Sequence, residues 1–170
     1  KHKVQIVKEL YKSYTNTVTI TDNNTTAYNP KLSQDYAEVV IDAPNDSEVW
    51  VNNIKKGVGT WSGKLQSGVY LFEARKANHR TSSISQTISA STTPQRFTLP
   101  MPTPITGTLI VTGSPVMADV SLDGKSVGRV PLSLDNVIIG NRSVTISKEG
   151  YVNHTESVLI EEGKSATINV

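Results

Sequence analysis

Apolar and polar residues alternate along most of this chain in short runs separated by turn residues, the period expected of half-buried β-strands. Thr108-Leu109-Ile110-Val111-Thr112 and Ser143-Val144-Thr145-Ile146-Ser147 show it most cleanly, and Ala118 to Leu122 alternates before Asp123-Gly124. That dipeptide is a strong two-residue hairpin signal, since both positions tolerate positive φ. Pro131 to Leu134, Thr155 to Glu161 and Ser165 to Val170 read as further extended pieces, with turns at Gly140-Asn141, Glu149-Gly150 and Glu162-Gly163-Lys164. About seven short strands spaced near ten residues predict a small sandwich of prealbumin-like or immunoglobulin-like type.

The same pattern occurs twice. Ala43-Pro44, Val49 to Asn53 and Lys56-Gly57 align with Ser114-Pro115, Val120 to Gly124 and Val127-Gly128 at an offset of 71 residues. Gly68, Phe72, Ala74 and Lys76 align with Gly140, Val144, Ile146 and Lys148 at 72, and Phe97 and Leu99 with Ile168 and Val170 at 71. The expected fold class is therefore all-β: two tandem β-sandwiches, residues 37–99 and 107–170, with Asn52-Asn53 in the first hairpin position. Between them, residues 100–106 carry Pro100, Pro102 and Pro104. Alternating prolines cannot continue a central strand, so this stretch is expected to be a semi-rigid linker, about 15 Å long at roughly 3.1 Å per polyproline residue.

Residues 1–36 match neither copy in this alignment and are expected to form an N-terminal arm. Val4, Val7, Leu10, Tyr11 and Tyr14 fall at helical spacing, while Val4 and Ile6 also fit alternation, so helix and strand both stay open. Thr17 to Ile20 reads as a strand before the turn Asp22-Asn23-Asn24. A segment this rich in Val, Ile and Tyr would be poorly solvated if free, and is expected to dock on the first sandwich as an extended arm.

Composition narrows the function. The 170 residues include no Cys, which excludes a disulfide framework, a thiolate metal site and a cysteine nucleophile. A net charge of +2 lacks the basic stripe of a nucleic-acid binder. No apolar run approaches the roughly 20 residues of a membrane-spanning helix. His2, His79 and His154 are isolated and lack the spacing of a metal site, and no Gly-x-Ser-x-Gly elbow is present. Asp42 with Asp46, and Asp119 with Asp123, sit where turns use Asp for local hydrogen bonds. Neither catalysis nor a cofactor is expected.

Charge and aromatic residues supply the candidate contacts. Residues 37–99 hold seven Lys and Arg against five acids, and residues 107–170 five against seven, an asymmetry able to orient neighbouring modules. Lys55, Lys56, Arg75, Lys76, His79 and Arg80 form the candidate basic cluster for an acidic glycan or partner. Trp61 aligns with Leu132 and Phe72 with Val144, which places both in the core. Trp50 differs, because alternation turns it away from Val49 and Val51 and its counterpart is Ser121. An outward Trp either stacks on a sugar, with Tyr70 as a second platform residue, or lies under another part of the chain, for which the arm with Tyr11, Tyr14 and Tyr28 is the expected cover.

The second copy resembles a PEGA domain. The resemblance is carried by Gly107-x-Leu109-x-Val111, Ser114-Pro115-Val116-Met117-Ala118, Val120, Leu122-Asp123-Gly124, Gly128, Pro131-Leu132, Gly140, Val144 and Lys148-x-Gly150-Tyr151. The namesake tetrapeptide stands as Pro115-Val116-Met117-Ala118, departing at its two middle positions. The first copy looks like a divergent relative, with Pro44 to Ser47, Asn52-Asn53 and Asn78-His79 at the corresponding places. The resemblance implies an exported, noncatalytic module of the cell envelope or surface, a spacer or a binder of another surface protein or a polysaccharide. Carbohydrate binding through Trp50 is the alternative. Two sandwiches of this size without disulfides are also expected to be marginal when separated.

Overall fold

Alternation is realised throughout the computed structural model, which describes residues 1–170 with 59% strand and no helix. The arm contributes β1 (His2–Ile6) and β2 (Tyr14–Val18). There follow β3 (Tyr36–Asp42), β4 (Glu48–Val51), β5 (Ile54–Val58), β6 (Thr60–Gln66), β7 (Gly68–Arg75), β8 (His79–Arg80), β9 (Ser82–Ile88) and β10 (Gln95–Thr98). The remainder forms β11 (Thr103–Pro104), β12 (Thr106–Thr112), β13 (Asp119–Leu122), β14 (Lys125–Arg129), β15 (Leu132–Ile138), β16 (Gly140–Ser147), β17 (His154–Ile160) and β18 (Ser165–Asn169). Two units result: Lys1–Lys76 with Thr81–Pro102, and Ala77–Arg80 with Thr103–Val170.

In the first unit a three-stranded sheet, β10-β3-β6, and a four-stranded sheet, β5-β4-β7-β9, enclose one core. Ala37, Val39 and Ile41 of β3 meet Val49 and Val51 of β4, and Phe72 and Ala74 of β7. The second unit has the same strand order in β15-β12-β18 and β14-β13-β16-β17, with Leu109, Val111, Val120, Val144 and Ile146 at its centre. Registers correspond as well: Ile41 pairs with Trp61 as Val111 pairs with Leu132, and β10 and β18 run parallel to their neighbours β3 and β12. Both hairpins turn through positive φ, at Asn52 and Asn53 in one and Asp123 and Gly124 in the other. Asn is tolerated there because its short polar side chain relieves the left-handed conformation that bulkier residues avoid.

Two expectations need correction. The arm is extended, as expected, but it is not without a counterpart. β1 and β2 pair from His2 with Val18 to Ile6 with Tyr14, and β16 and β17 pair from Arg142 with Val158 to Ile146 with His154, the same register 140 residues later. Leu10 and Gly150 occupy the same turn at φ 65° and 83°, with Tyr11 N–H donating to Lys8 C=O at 3.1 Å and Tyr151 N–H to Lys148 C=O at 3.0 Å. The next turns agree too, Asn23 standing at φ 55° where Gly163 stands at 64°. Residues 1–24 thus reproduce the closing hairpin of a sandwich. Docking on the first unit occurs, through Tyr11 edge-on to Tyr36 at 6.1 Å and a bridge from Tyr11 to Gln34.

Residues 100–106 are not a free polyproline strut. Pro102 is fully buried, Ser82 Oγ donates to Pro100 C=O, Thr103–Pro104 pair with Arg80 and His79, and Thr106 already begins β12. Part of the backbone that a solvated strut would leave to water is thus bonded, by the Ser82 hydroxyl at Pro100 and by β8 at Thr103–Pro104.

Candidate interaction surface

The first unit's four-stranded sheet turns one face to the core and the other to solvent. On the outer face, register places Trp50 beside Lys55 of β5 and Glu73 of β7, and Glu48 beside Val58 and Arg75. The Arg75 guanidinium lies over the Trp50 ring at 4.1 Å from its centroid and donates to Glu73 Oε2 at 2.7 Å and Asn53 Oδ1 at 2.6 Å. Trp50 Nε1–H donates to Glu48 Oε2 at 3.0 Å, and Lys55 Nζ reaches Glu48 Oε1 at 2.5 Å. Donation from Lys55, then from Trp50, holds the Glu48 carboxyl below the usual range. Two acids and two bases therefore close into a neutral, self-satisfied network around one aromatic ring. Beside it Val58, Val69 and Leu71 are exposed apolar residues on the same face.

This arrangement answers the question posed by Trp50. Its cover is Arg75, not the arm, whose rings lie elsewhere: Tyr11 against Tyr36 and Tyr14 against Tyr28. Tyr70 does not join it. Tyr70 shares the core-facing side of β7 with Phe72, stacks on that ring at 6.3 Å, and donates its hydroxyl to Gln66 C=O at 3.0 Å. Trp50 and Tyr70 therefore lie on opposite faces of the sheet: Trp50 pairs with Glu73, three residues from Tyr70 along β7, and residues an odd number apart on a strand project to opposite sides.

The basic cluster is likewise dispersed. Lys55 and Arg75 are tied into the outer network, Lys56 sits over Trp61 at 5.8 Å, and Lys76 pairs with Asp46. Arg80 pairs with Glu162 inside the second unit, and His79 Nδ1 lies 2.8 Å from Ala77 C=O. The paired aspartates are separately engaged: Asp42 with Arg96, Asp119 with Arg129 and Asp123 with Arg142. No three His, Asp or Glu residues converge as metal ligands, and no helix is long and apolar enough to cross a membrane.

The structural motif of the second unit has visible causes. Asp123 accepts the Ser143 N–H at 2.9 Å across its hairpin, Gly124 stands at φ 81° and Ala118 is buried. Leu132, after Pro131, lies 3.0 Å from where a Cβ on Gly128 would sit. Gly140, the first residue of β16 and not a separate turn, has φ 109°. Gly150 adopts φ 83°, and Lys148 donates to Val116 C=O at 2.7 Å, joining the Pro115 loop to the Tyr151 loop. Tyr151 itself is exposed, with Lys148 at 6.0 Å from its ring.

Sequence reasoning missed Val58, Val69 and Leu71, although the repeat contained the signal. Their counterparts are Arg129, Asn141 and Ser143, all polar. A position that is polar in one copy and apolar in the other does not belong to the core of both.

Residues 106–170 match the family model described as PEGA domain. PEGA domains occur in secreted or surface proteins. No curated protein matches the sequence. Among solved structures, the chain is similar to "The Bacillus anthracis TIE protein", at 16% identity and a TM-score of 0.54 over 95% of this chain and 39% of that one. This likeness concerns the β-rich fold, and the chain spans well under half of its neighbour's length.

Proposed function

We propose that the chain is a noncatalytic structural and interaction module of a secreted or surface protein, binding a protein partner through the outer face of β5-β4-β7-β9, with the first unit a divergent relative of the PEGA domain. The observation that carries the reading is the contrast between equivalent faces. Trp50, Val58, Val69, Leu71 and Arg75 stand where the second unit has Ser121, Arg129, Asn141, Ser143 and Ser147 on the same strands. Since the second sandwich closes with polar residues at those places, the fold does not require the apolar ones. Exposed apolar residues on either side of a neutral Trp–Arg network, Val58 next to Glu48 and Leu71 with Val69 beyond Glu73, suit a protein surface, where aromatic residues and Arg are enriched at contacts. It suits a sugar less well, because Arg75 already occupies one face of the Trp50 ring.

A photo-crosslinking residue at Thr87, across β9 from Val69, tests this on intact cells of the source organism. The expected result is a single discrete protein adduct that disappears when Val69→Asn and Leu71→Ser install the second unit's residues. No adduct, or an adduct indifferent to those substitutions, overturns the reading, as does polysaccharide binding abolished by Trp50→Ser.

A further inference from the structure

The same joint is built twice in this chain. In the first unit, Leu10 C=O accepts the Asp35 N–H at 2.9 Å, Tyr11 bridges Gln34, and the Lys12 N–H donates to Ser33 C=O at 2.9 Å. In the second unit, Asn78 C=O accepts the Ile105 N–H at 3.0 Å, and His79 and Arg80 pair with Pro104 and Thr103. Beyond the joint the pattern continues, Ser67 N–H donating to Asp35 C=O at 2.8 Å and Ile139 N–H to Ile105 C=O at 3.0 Å. Each time, the turn that closes one hairpin holds the three-residue lead-in to the first strand of the next sandwich. Each turn places a Lys, Lys8 or Lys76, two residues before a positive-φ residue, Leu10 at 65° or Asn78 at 60°.

A third turn of this design has no lead-in. Lys148 precedes Gly150 at φ 83°, and the Tyr151 N–H closes the turn on Lys148 C=O. Where His79 and Arg80 form β8, however, Tyr151 and Val152 form no strand and are 60% and 95% exposed. Gly150 C=O and the Val152 N–H, the counterparts of the two groups that hold the first joint, make no backbone hydrogen bond. Unpaired backbone groups on an exposed turn, placed as those of Leu10 and Lys12 are in the first joint, are a template for strand addition.

We propose that Gly150–Val152 is a docking strand for the lead-in segment of a further sandwich of the same kind. The occupant is an extended tripeptide running antiparallel to it, followed directly by a strand of β3 or β12 type. Its middle residue needs no N–H, which is why Pro104 serves there as well as Gln34. Its spacing is also defined: Leu99, the counterpart of Val170, is followed by Pro100, Met101 and Pro102 before Thr103, so a module joined to Val170 through three residues reaches the turn. Arg80 and Glu162 add an ion pair beside the second joint, whereas Tyr151 and Val152 make the third apolar. The inference deepens the structural-module reading and rests on it only for the presence of neighbouring modules. Failure of the Leu71 face to capture a protein leaves the joint untouched.

The test appends a second copy of residues 100–170 directly after Val170 of the full chain. Gly150–Val152 then has to replace Ala77–Arg80 as part of the appended unit. Hydrogen exchange followed by NMR is expected to show the Val152 N–H slowed at least tenfold relative to the parent, with the appended counterparts of Leu109 and Val144 protected. Val152→Pro removes the donor; in the extended chain it is expected to lower protection of the appended core about tenfold, and in the parent to leave the melting temperature unchanged. An appended module that folds while Val152 exchanges at the parent rate overturns the proposal. So does one that folds equally well with Val152→Pro, and so does one that fails to fold.

Discussion

The two sandwiches share strand order, register and hairpin geometry but fill them differently. Phe72 and Phe97, 5.4 Å apart, stand where the second unit has Val144 and Ile168. Trp61 opposes Ile41 and Gly63 opposes Val39, where the second unit has Leu132 and Leu134 opposite Val111 and Leu109. A Cβ at Gly63 would lie 2.4 Å from Trp61 Cζ2, so the large ring occupies the room that the missing side chain leaves. One large and one absent side chain replace two of middle size. Backbone pairing thus sets which positions are inside, while the volume at each is settled among neighbours. On the outer faces no such constraint operates, and the difference between Trp50 and Ser121 is free to carry function.

The first unit's dependence on its aromatic pair is the sharpest way to break the equivalence. Phe72 is wholly buried, and Phe72→Ala is expected to cost about 3–5 kcal/mol through lost transfer energy and the cavity left behind. Val144→Ala, at the matching place, removes two methyl groups and is expected to cost about 2 kcal/mol. Both tryptophans, Trp50 and Trp61, lie in the first unit, so their fluorescence follows that unit alone during urea unfolding. Phe72→Ala should abolish or greatly lower that transition while Val144→Ala leaves its midpoint in place. Equal losses in the Trp signal would show that the two cores are not independent.

Next in size is the exchange between Trp61 and Gly63. Gly63→Leu alone overpacks the sheet and is expected to destabilise the first unit by about 1–3 kcal/mol. Adding Trp61→Leu recreates the second unit's arrangement, and the double variant is expected to recover at least half of the loss. A double-mutant cycle on urea midpoints measures this, with Trp50 as the remaining fluorophore. Strict additivity would mean that the ring and the glycine do not compensate each other.

Much of this was legible beforehand, for physical reasons. Alternation revealed the strands, Asp123-Gly124 and Asn52-Asn53 marked the hairpins, and the 71-residue offset exposed equivalent cores at Phe72 and Val144. The arm's kinship with the closing hairpin is masked in the sequence because its key turn has Leu10 where the second unit has Gly150, and Asn23 for Gly163, so the glycine landmarks are missing while the backbone persists. Lys8-Glu9 and Tyr11 against Lys148-Glu149 and Tyr151 were the residual signal. The cover on Trp50 was hidden for a different reason. Arg75 is not directly opposite Trp50 in the register but diagonal to it, beside Glu48, so only the extended reach of a guanidinium brings them together. The dispersal of the basic residues is invisible in the sequence, because the partners of Lys55, Arg75, Lys76 and Arg80 are set by register and not by spacing.

The smallest expected effect is the dependence of the outer network on pH. Donation from Lys55 and from the Trp50 indole favours the Glu48 carboxylate over its protonated form, lowering its pKa in the folded state. A group depressed on folding stabilises the native state above its unfolded pKa, and that contribution is lost as pH falls through the lower, folded value. The first unit should therefore lose an increment of stability on acidification below the ordinary glutamate range, and Glu48→Gln should flatten that part of the profile without altering the neutral-to-alkaline limb's shape. Glu48 is partly exposed, so solvent and salt screen the effect and keep it small. Urea midpoints read by Trp fluorescence from pH 3 to 7, at low and high salt, check it. Trp50→Ser provides the matching control, because it removes the indole donor and the Arg75 stacking partner together. If the acid limb is as steep in Glu48→Gln as in the parent, other carboxylates set it and the network around Trp50 contributes nothing measurable to folding.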